Sequence, residues 1–497
     1  MPLELPSHAN LEHLKKQAKA LLYDFQSGDA QAIEKFSSLS LQEAPILADA
    51  QHILARDYGF SNWTALKKHV DSLAVENADP FELAKNAFHS DDAPAMRLLL
   101  DRYPQLREKI NDPLSHFNSP AITLVRSRAM LDVLLDAGAD INVKSHWWAG
   151  GFSLLENASP ELAAYAITRG AQVTVHAAAR LGLFDQLQNL VAENPSLVHA
   201  PGGDGQTPLH FASTVEIAAF LLDHGAVIDA LDVDHESTPA QYMIESRQEI
   251  ARYLIQRGCK TDILMAAALG DAKLASAHLD ANPDVIRIRV SDEFFPLVGN
   301  DKGGTIYQWQ LGWYVSAPQV ARKFGHHELC DLLLDRCPPD EKLLNACWFA
   351  DESAVNDLLT ANSNLVPTLT ALGRRQLAHA ARNNDSAACR LMLQAGLPID
   401  SFSQHHAMPL HWAAFHGNLE IARAILDRHP DIENIDNEYK STPLGWAIFG
   451  SENGWFGKTG NYEATVETLL DAGAKLPDKL GGTRAVRQIL RRHDVAE

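Results

Sequence analysis

The sequence predicts an all-α solenoid of stacked helix pairs with β-turn fingers, preceded by a small helical module, and three observations carry that prediction. First, one segment ending recurs: "LLDAGADIN" at Gly138, "AITRGAQVT" at Gly170, "LLDHGAVID" at Gly225, "LIQRGCKTD" at Gly258, "MLQAGLPID" at Gly396 and "LLDAGAKLP" at Gly473. Gly225 and Gly258 lie 33 residues apart, and His429 stands 33 beyond Gly396 at the equivalent point. Second, several units open on a shared start, "TPLH" at Thr207, "MPLH" at Met408, "STPLG" and "STPA". Third, 497 residues exceed what one globular core sustains but suit a quasi-linear array.

The elements follow in order from these marks. Residues 1–73 lie outside the period. "ANLEHLKKQAKALLYDF" sets Leu11, Leu14, Ala18, Leu21, Leu22 and Phe25 at helical spacing, and "LADAQHILARDYGFSNWTALKKHV" reads as two short helices around a Gly-Phe turn. A cap for the exposed end of an array is the simplest role for such a module. The array itself runs over 80–497. Pro at a helix start costs no hydrogen bond, because the first turn has no partner for its amides, and Gly after a helix lets the chain leave through a left-handed conformation. Units around Asn194, Asn282 and Asn362 are shortened, with only 24 to 25 residues from the preceding Gly170, Gly258 or Cys337. Two others are enlarged, by insertions near 291–315 and 450–461. In the first, alternation over Thr305–Gln310 after the turn "GNDKGG" predicts a strand in an enlarged hairpin finger.

A 33-residue unit of loop, helix, turn and helix, with "TPLHFA" and "MPLHWAAFHGNLEIARAIL" at its helix starts, resembles the ankyrin repeat over roughly residues 80 to 497. The resemblance implies antiparallel helix pairs with fingers along one edge and a concave groove. It also implies a Thr–His bond in the first turn; Met408 and Gly445 depart from the motif, so this is expected only for Thr207 with His210. The N-terminal module is similar to a leader that precedes ankyrin arrays in bacterial proteins.

Composition excludes several function classes. With 43 Lys plus Arg against 63 Asp plus Glu, the net charge of −20 repels a phosphate backbone, so no nucleic acid is expected. No apolar run of membrane-spanning length occurs and the N-terminus has no signal-peptide pattern, so no membrane is expected either. Five cysteines without CxxC spacing read as reduced, packed thiols of a cytoplasmic protein. The histidines of "HHAMPLHWAAFHG" do not read as a metal site: His411 and His416 sit about 140° apart on a helix at about 100° per residue. His411 is instead the structural His of the repeat, and His405–His406 are finger-tip residues. No metal and no cofactor are expected, and no nucleophile-elbow, P-loop or dinucleotide motif is present.

The two residues after "AA" in each first helix are expected to face the groove. In the C-terminal half they are strongly aromatic or polar: Trp348, Phe349, Arg382, Phe415, His416 and Phe449. The insertions add Tyr307, Trp309 and Trp313 on one side, and Glu452, Trp455 and Phe456 on the other. Aromatic faces with a few polar neighbours suit a peptide or small polar ligand, while the same rings also suit gap filling between helices. Fingers and inter-helix turns lie at opposite ends of a pair, so the insertions share a pocket only if the long one reaches across. Three readings stand. The leading one is a monomer binding a partner protein or peptide in its concave aromatic C-terminal groove. The second is an enzyme, a hydrolase or isomerase of a polar small molecule, with Glu452 or Asp301 working alongside His416. In the third, the insertions merely clamp a scaffold.

Overall fold

The structure, a computed structural model, describes residues 11–37, 44–76, 79–299 and 302–495. Among these, 31 α-helices stand against a single antiparallel pair of short strands, Pro113–Ser115 with Ser119–Pro120, which settles the all-α class. The chain divides into two compact units, Met1–Val173 and Thr174–Glu497.

In the first unit, helices Leu11–Gln26, Ala30–Ser37, Leu47–Asp57 and Trp63–Glu76 enclose a core of their own. Leu14 and Ala18, four apart on one face, meet Phe36, Ala50, Ile53, Leu54 and Leu66 there. The Gly-Phe turn falls where expected, with Gly59 at φ +82°. Helix pairs follow. Asp79 opens Pro80–His89 by accepting the amide of Phe81 through its side chain, and Asp92 opens Ala93–Arg102 in the same way through Ala95.

The second unit repeats one local grammar. A Thr, Asp or Asn side chain caps a helix, Pro stands in the first turn of several, and the second helix of a full unit ends in a left-handed residue. Gly225, Gly258, Gly396 and Gly473 all have φ between +89° and +96°. His429, at the equivalent point, has φ +55°, so the position demands the conformation even when its occupant is not glycine. The short units trade finger for packing: all seven residues of Ile263–Leu269 are buried, including a run of three alanines that lets neighbouring helices approach.

Thr207 and His210 form the expected bond, Oγ1 to Nδ1 at 3.0 Å. His210 Nε2 lies 3.1 Å from the carbonyl of Ser237 in the next finger; a carbonyl only accepts, so Nε2 carries the proton. At Met408 the hydroxyl is missing but the ring serves the same purpose. His411 Nδ1 accepts the Met408 amide, and Nε2 faces the carbonyls of Asn434 and Ser441 at 3.1 and 3.2 Å.

The long insertion departs from expectation. Ile306–Gln310 is a short helix, not a strand. Ile306, Tyr307 and Leu311 are buried while Trp309 is exposed, a helical pattern that becomes visible only when Leu311 joins the window. Two backbone bonds pin the base of the insertion, Tyr314 N to Val290 O at 2.7 Å and Val290 N to Val315 O at 3.2 Å. Arg289, 1% exposed, pairs beside them with the equally buried carboxylate of Glu341, while Arg287 grips Asp340 at 2.6 Å.

Candidate functional site

The site grows from the last three first-helices of the array, Gln376–Arg382, Pro409–Phe415 and Pro443–Asn453. Trp412 and Trp446 occupy the same position in consecutive units, after "PLH" and "PLG", and their rings meet edge to face at 5.0 Å. Asp436 in the finger fixes Trp446: its carboxylate accepts the indole N–H at 3.0 Å and the amides of Glu438, Tyr439 and Ser441. Burial would raise this carboxyl, but the four donors hold it below its ordinary range.

The C-terminal insertion is fastened to the same helices by close backbone approach. The first helix runs through its opening residues to Asn453, and the chain turns at 454–460 over the carbonyls of Phe415 and His416. A Cβ on Gly460 would lie 2.5 Å from the His416 oxygen, and one on Gly454 would lie 2.4 Å from the Tyr462 hydroxyl. The glycines therefore admit the turn by having no side chain. Tyr462 seals it, donating to the Phe415 carbonyl at 3.1 Å.

The turn lays Trp455 against Phe415 at 5.5 Å and 86°, and beside Trp412 at 5.9 Å. The result is an open cleft of about 400 Å³, lined by His405, Trp412, Phe415, Tyr439, Trp446, Phe449 and Trp455 together with Ser441 and Gly445. Phe449 and Trp455 are 60% and 58% exposed, so two of its walls are rings held in water.

Arg382 joins this cleft to the long insertion. Its guanidinium carbon lies 4.2 Å from the centre of Trp313, 5.2 Å from Trp455 and 5.5 Å from Trp412. Both insertions thus converge on one side chain. Burial pulls the Arg382 pKa down to about 10, with Asp292 opposing from nearby. Trp313 is fixed in turn: Asn383 donates to its carbonyl at 2.8 Å, and its indole N–H reaches His379 Nδ1 at 3.4 Å.

The remaining expected site residues divide. His416 is buried, its Nε2 donating to the Arg382 carbonyl at 2.8 Å, and burial lowers its pKa to about 4. Phe456 packs its edge on that ring at 5.1 Å. Four aromatics are packing residues or lie elsewhere. Tyr307 is fully buried with its hydroxyl on Asp262, because its helix turns it inward, and Trp348 is buried with its N–H on Gln376. Trp309 is exposed but belongs to the fingers, donating to the Gly303 carbonyl near His235. Phe349, beneath Arg322, lines a separate cleft with Lys342 and Asp351. Glu452 is spent on Arg487 at 2.9 Å and Asp301 lies outside the described residues, so neither is seen to form the acid/base pairing with His416. Sequence reasoning passed over Trp412, Trp446 and Tyr439; the shared position of the two tryptophans was the available signal.

Among the described residues, Asp204, Asp234 and His235 bring potential metal-ligand atoms within 4.8 Å of one another. The long insertion closes over them: Gly303 N donates to Asp234, and His235 Nδ1 lies 2.6 Å from the Gly304 carbonyl. All five cysteines are free and buried, with burial raising the thiol pKa to about 12 at Cys259, Cys337 and Cys347. No described helix is long and apolar enough to cross a membrane.

Comparison with known proteins agrees with this architecture. The family model described as ankyrin repeats (3 copies) matches residues 175–271, 319–436 and 377–479, together more than half of the chain. Among curated proteins, the chain is 23% identical over 319 residues to the E3 ubiquitin-protein ligase KEG of Arabidopsis thaliana. That match covers 59% of this chain and 19% of the relative, so the chain spans about a fifth of that protein's length.

Proposed function

The chain belongs to the ankyrin-repeat family, and from that premise we propose that it is a binding protein whose C-terminal cleft receives an apolar side chain of a partner protein or peptide. Ankyrin repeats serve protein interaction, and the match to part of a ubiquitin ligase covers too little of that protein to carry its activity across. The observation that carries the reading is the pair of exposed rings, Phe449 and Trp455, standing over a buried aromatic floor. A scaffold needs no such arrangement: rings left in water cost solubility, whereas rings pre-set around a cleft bind without a large ordering penalty. The cleft of about 400 Å³ suits one or two side chains. We further place the protein in a reducing compartment, as a monomer, with neither nucleic acid nor membrane as partner.

Replacing Trp455 and Phe456 together by Ala tests the reading. Binding of peptides selected on the parent chain should weaken by about 2 kcal/mol or more, while the thermal melt stays nearly unchanged because these side chains are 58% and 37% exposed. A variant that melts several degrees lower yet binds normally would make the insertion a clamp and move the site elsewhere.

A further inference from the structure

An unusual cation stands beside the cleft, against two of its wall tryptophans. Of the five N–H groups of Arg382, the one on Nε is spent on Gln404 Oε1 at 3.0 Å, and neither Nη finds an acceptor among the described residues. Three indoles stack around the half-buried guanidinium. Arginines close by are treated differently. Arg375 pairs with Glu293 at 3.1 Å and Arg289 with Glu341. The acid that bears on Arg382, Asp292, is itself engaged, with Oδ1 accepting the Gln308 amide at 2.8 Å.

The neighbourhood repeats this surplus of donors. Trp313, which covers Arg382, donates its N–H to His379 Nδ1, so the His379 proton sits on Nε2. That Nε2 is buried and has no acceptor among the described residues. Tyr314 stacks on the same imidazole at 3.4 Å and 7°, and its buried hydroxyl also has no partner. Burial, then Arg375, Arg382 and Arg289, keep His379 neutral. Buried donors without acceptors, such as His379 Nε2, are costly, and beside them a carboxylate arriving at the edge of the planar Arg382 guanidinium can take both Nη groups at once.

We propose that the occupant of the cleft is an acidic peptide segment, with a carboxylate seated on the two free Nη groups of Arg382 and an adjacent aromatic or aliphatic residue in the aromatic cleft. The inference rests on the cleft being a peptide site. It adds the charge that the peptide must carry, against the overall charge of −20. A local, indole-shielded cation thereby becomes the determinant of specificity, because long-range attraction cannot be.

The test is selection of a random phage-displayed peptide library on the full chain, followed by titration of the best synthetic peptide and its Asn or Gln counterpart. The expected result is Asp or Glu within a few positions of an aromatic or aliphatic anchor, and an affinity loss of about tenfold or more when the acid becomes its amide. Arg382→Gln should abolish the difference between the two peptides, and Arg382→Lys, which keeps the charge without the fork, should restore only part of it. The peptide-side exchange leaves the protein untouched, so the outcome does not depend on how the variants fold. Selected peptides without acids, or equal affinity for acid and amide, would overturn the inference and leave the peptide site standing. If no peptide is selected at all, the reading of the cleft itself fails.

Discussion

Gly450 lies in the helix Pro443–Asn453 where that helix crosses Pro409–Phe415, and Gly450→Ala is the smallest perturbation that addresses how the cleft is built. An added Cβ would stand 2.3 Å from the Phe415 carbonyl oxygen, 2.9 Å from its carbon and 3.0 Å from its Cα. All three are backbone atoms, so no side chain can swing aside, and the helices must separate by about 1 Å to restore ordinary contact. Overpacking of this kind costs about 1–3 kcal/mol, against which the better helix propensity of Ala returns about 1 kcal/mol. The expected net loss is therefore up to about 2 kcal/mol, accompanied by a change in the environment of Trp412 and Trp446. Urea unfolding followed by tryptophan fluorescence reads both quantities. Gly473→Ala provides the contrast: φ is +96° and no atom lies within 4 Å of the added Cβ, so only the conformational cost of about 1 kcal/mol applies and the cleft should be unaffected. A Gly450→Ala protein as stable as the parent, with unchanged fluorescence, would refute the argument that close backbone approach sets the cleft.

Two further outcomes are expected. Glu341→Ala should destabilise by about 3–5 kcal/mol because it strands the buried Arg289 guanidinium, and changing Arg289→Met in the same chain should recover most of the loss; a single variant that melts like the parent would show that the pair does not hold the insertion base. Stability should also fall with acid. Burial lowers the pKa of His210, His411 and His416 to about 4 from an ordinary 6.5, so between those values the unfolded chain takes up protons that the folded chain refuses. Their contribution is complete above about pH 6.5 and is lost as pH falls toward 4, at up to about 1.4 kcal/mol per pH unit for each group. Denaturant midpoints that do not change between pH 7 and 4.5 would contradict that reading.

The repeat was legible in the sequence because its marks are local. The left-handed helix exits at glycine and the Thr207–His210 bond depend on residues within a few positions of one another, and the motif fixes them wherever it occurs. The aromatic character of the C-terminal half was legible too, and Phe415, Phe449 and Trp455 come together. Tyr307 and Trp348 turn away from the cleft, which the sequence does not reveal because a ring's direction depends on which neighbour it meets: Asp262 and Gln376 draw their polar ends inward, and neither partner is adjacent in the chain. The strand expected at Thr305–Gln310 failed for a different reason, since five or six residues cannot distinguish period 2 from period 3.6 once both Ile306 and Tyr307 are apolar. Whether the insertions met was beyond sequence, because Arg382 bridges them through stacking, which leaves no pattern in composition.

That bridge changes how this part of the array should behave as a cooperative system. In an ideal repeat protein each unit senses only the units beside it, and stability is a sum over adjacent interfaces. Here Asn383 and Trp313 are bonded across 70 residues, about two periods, and Arg382 extends the linkage as far again to Trp455. The C-terminal units are therefore coupled beyond their nearest neighbours and should melt as a block, so unfolding that starts at the C-terminus removes the cleft in a single step. A unit could not be deleted or duplicated within the block without moving Trp313 and Trp455 out of reach of the same guanidinium, which ties the number of repeats in this stretch to the site they share.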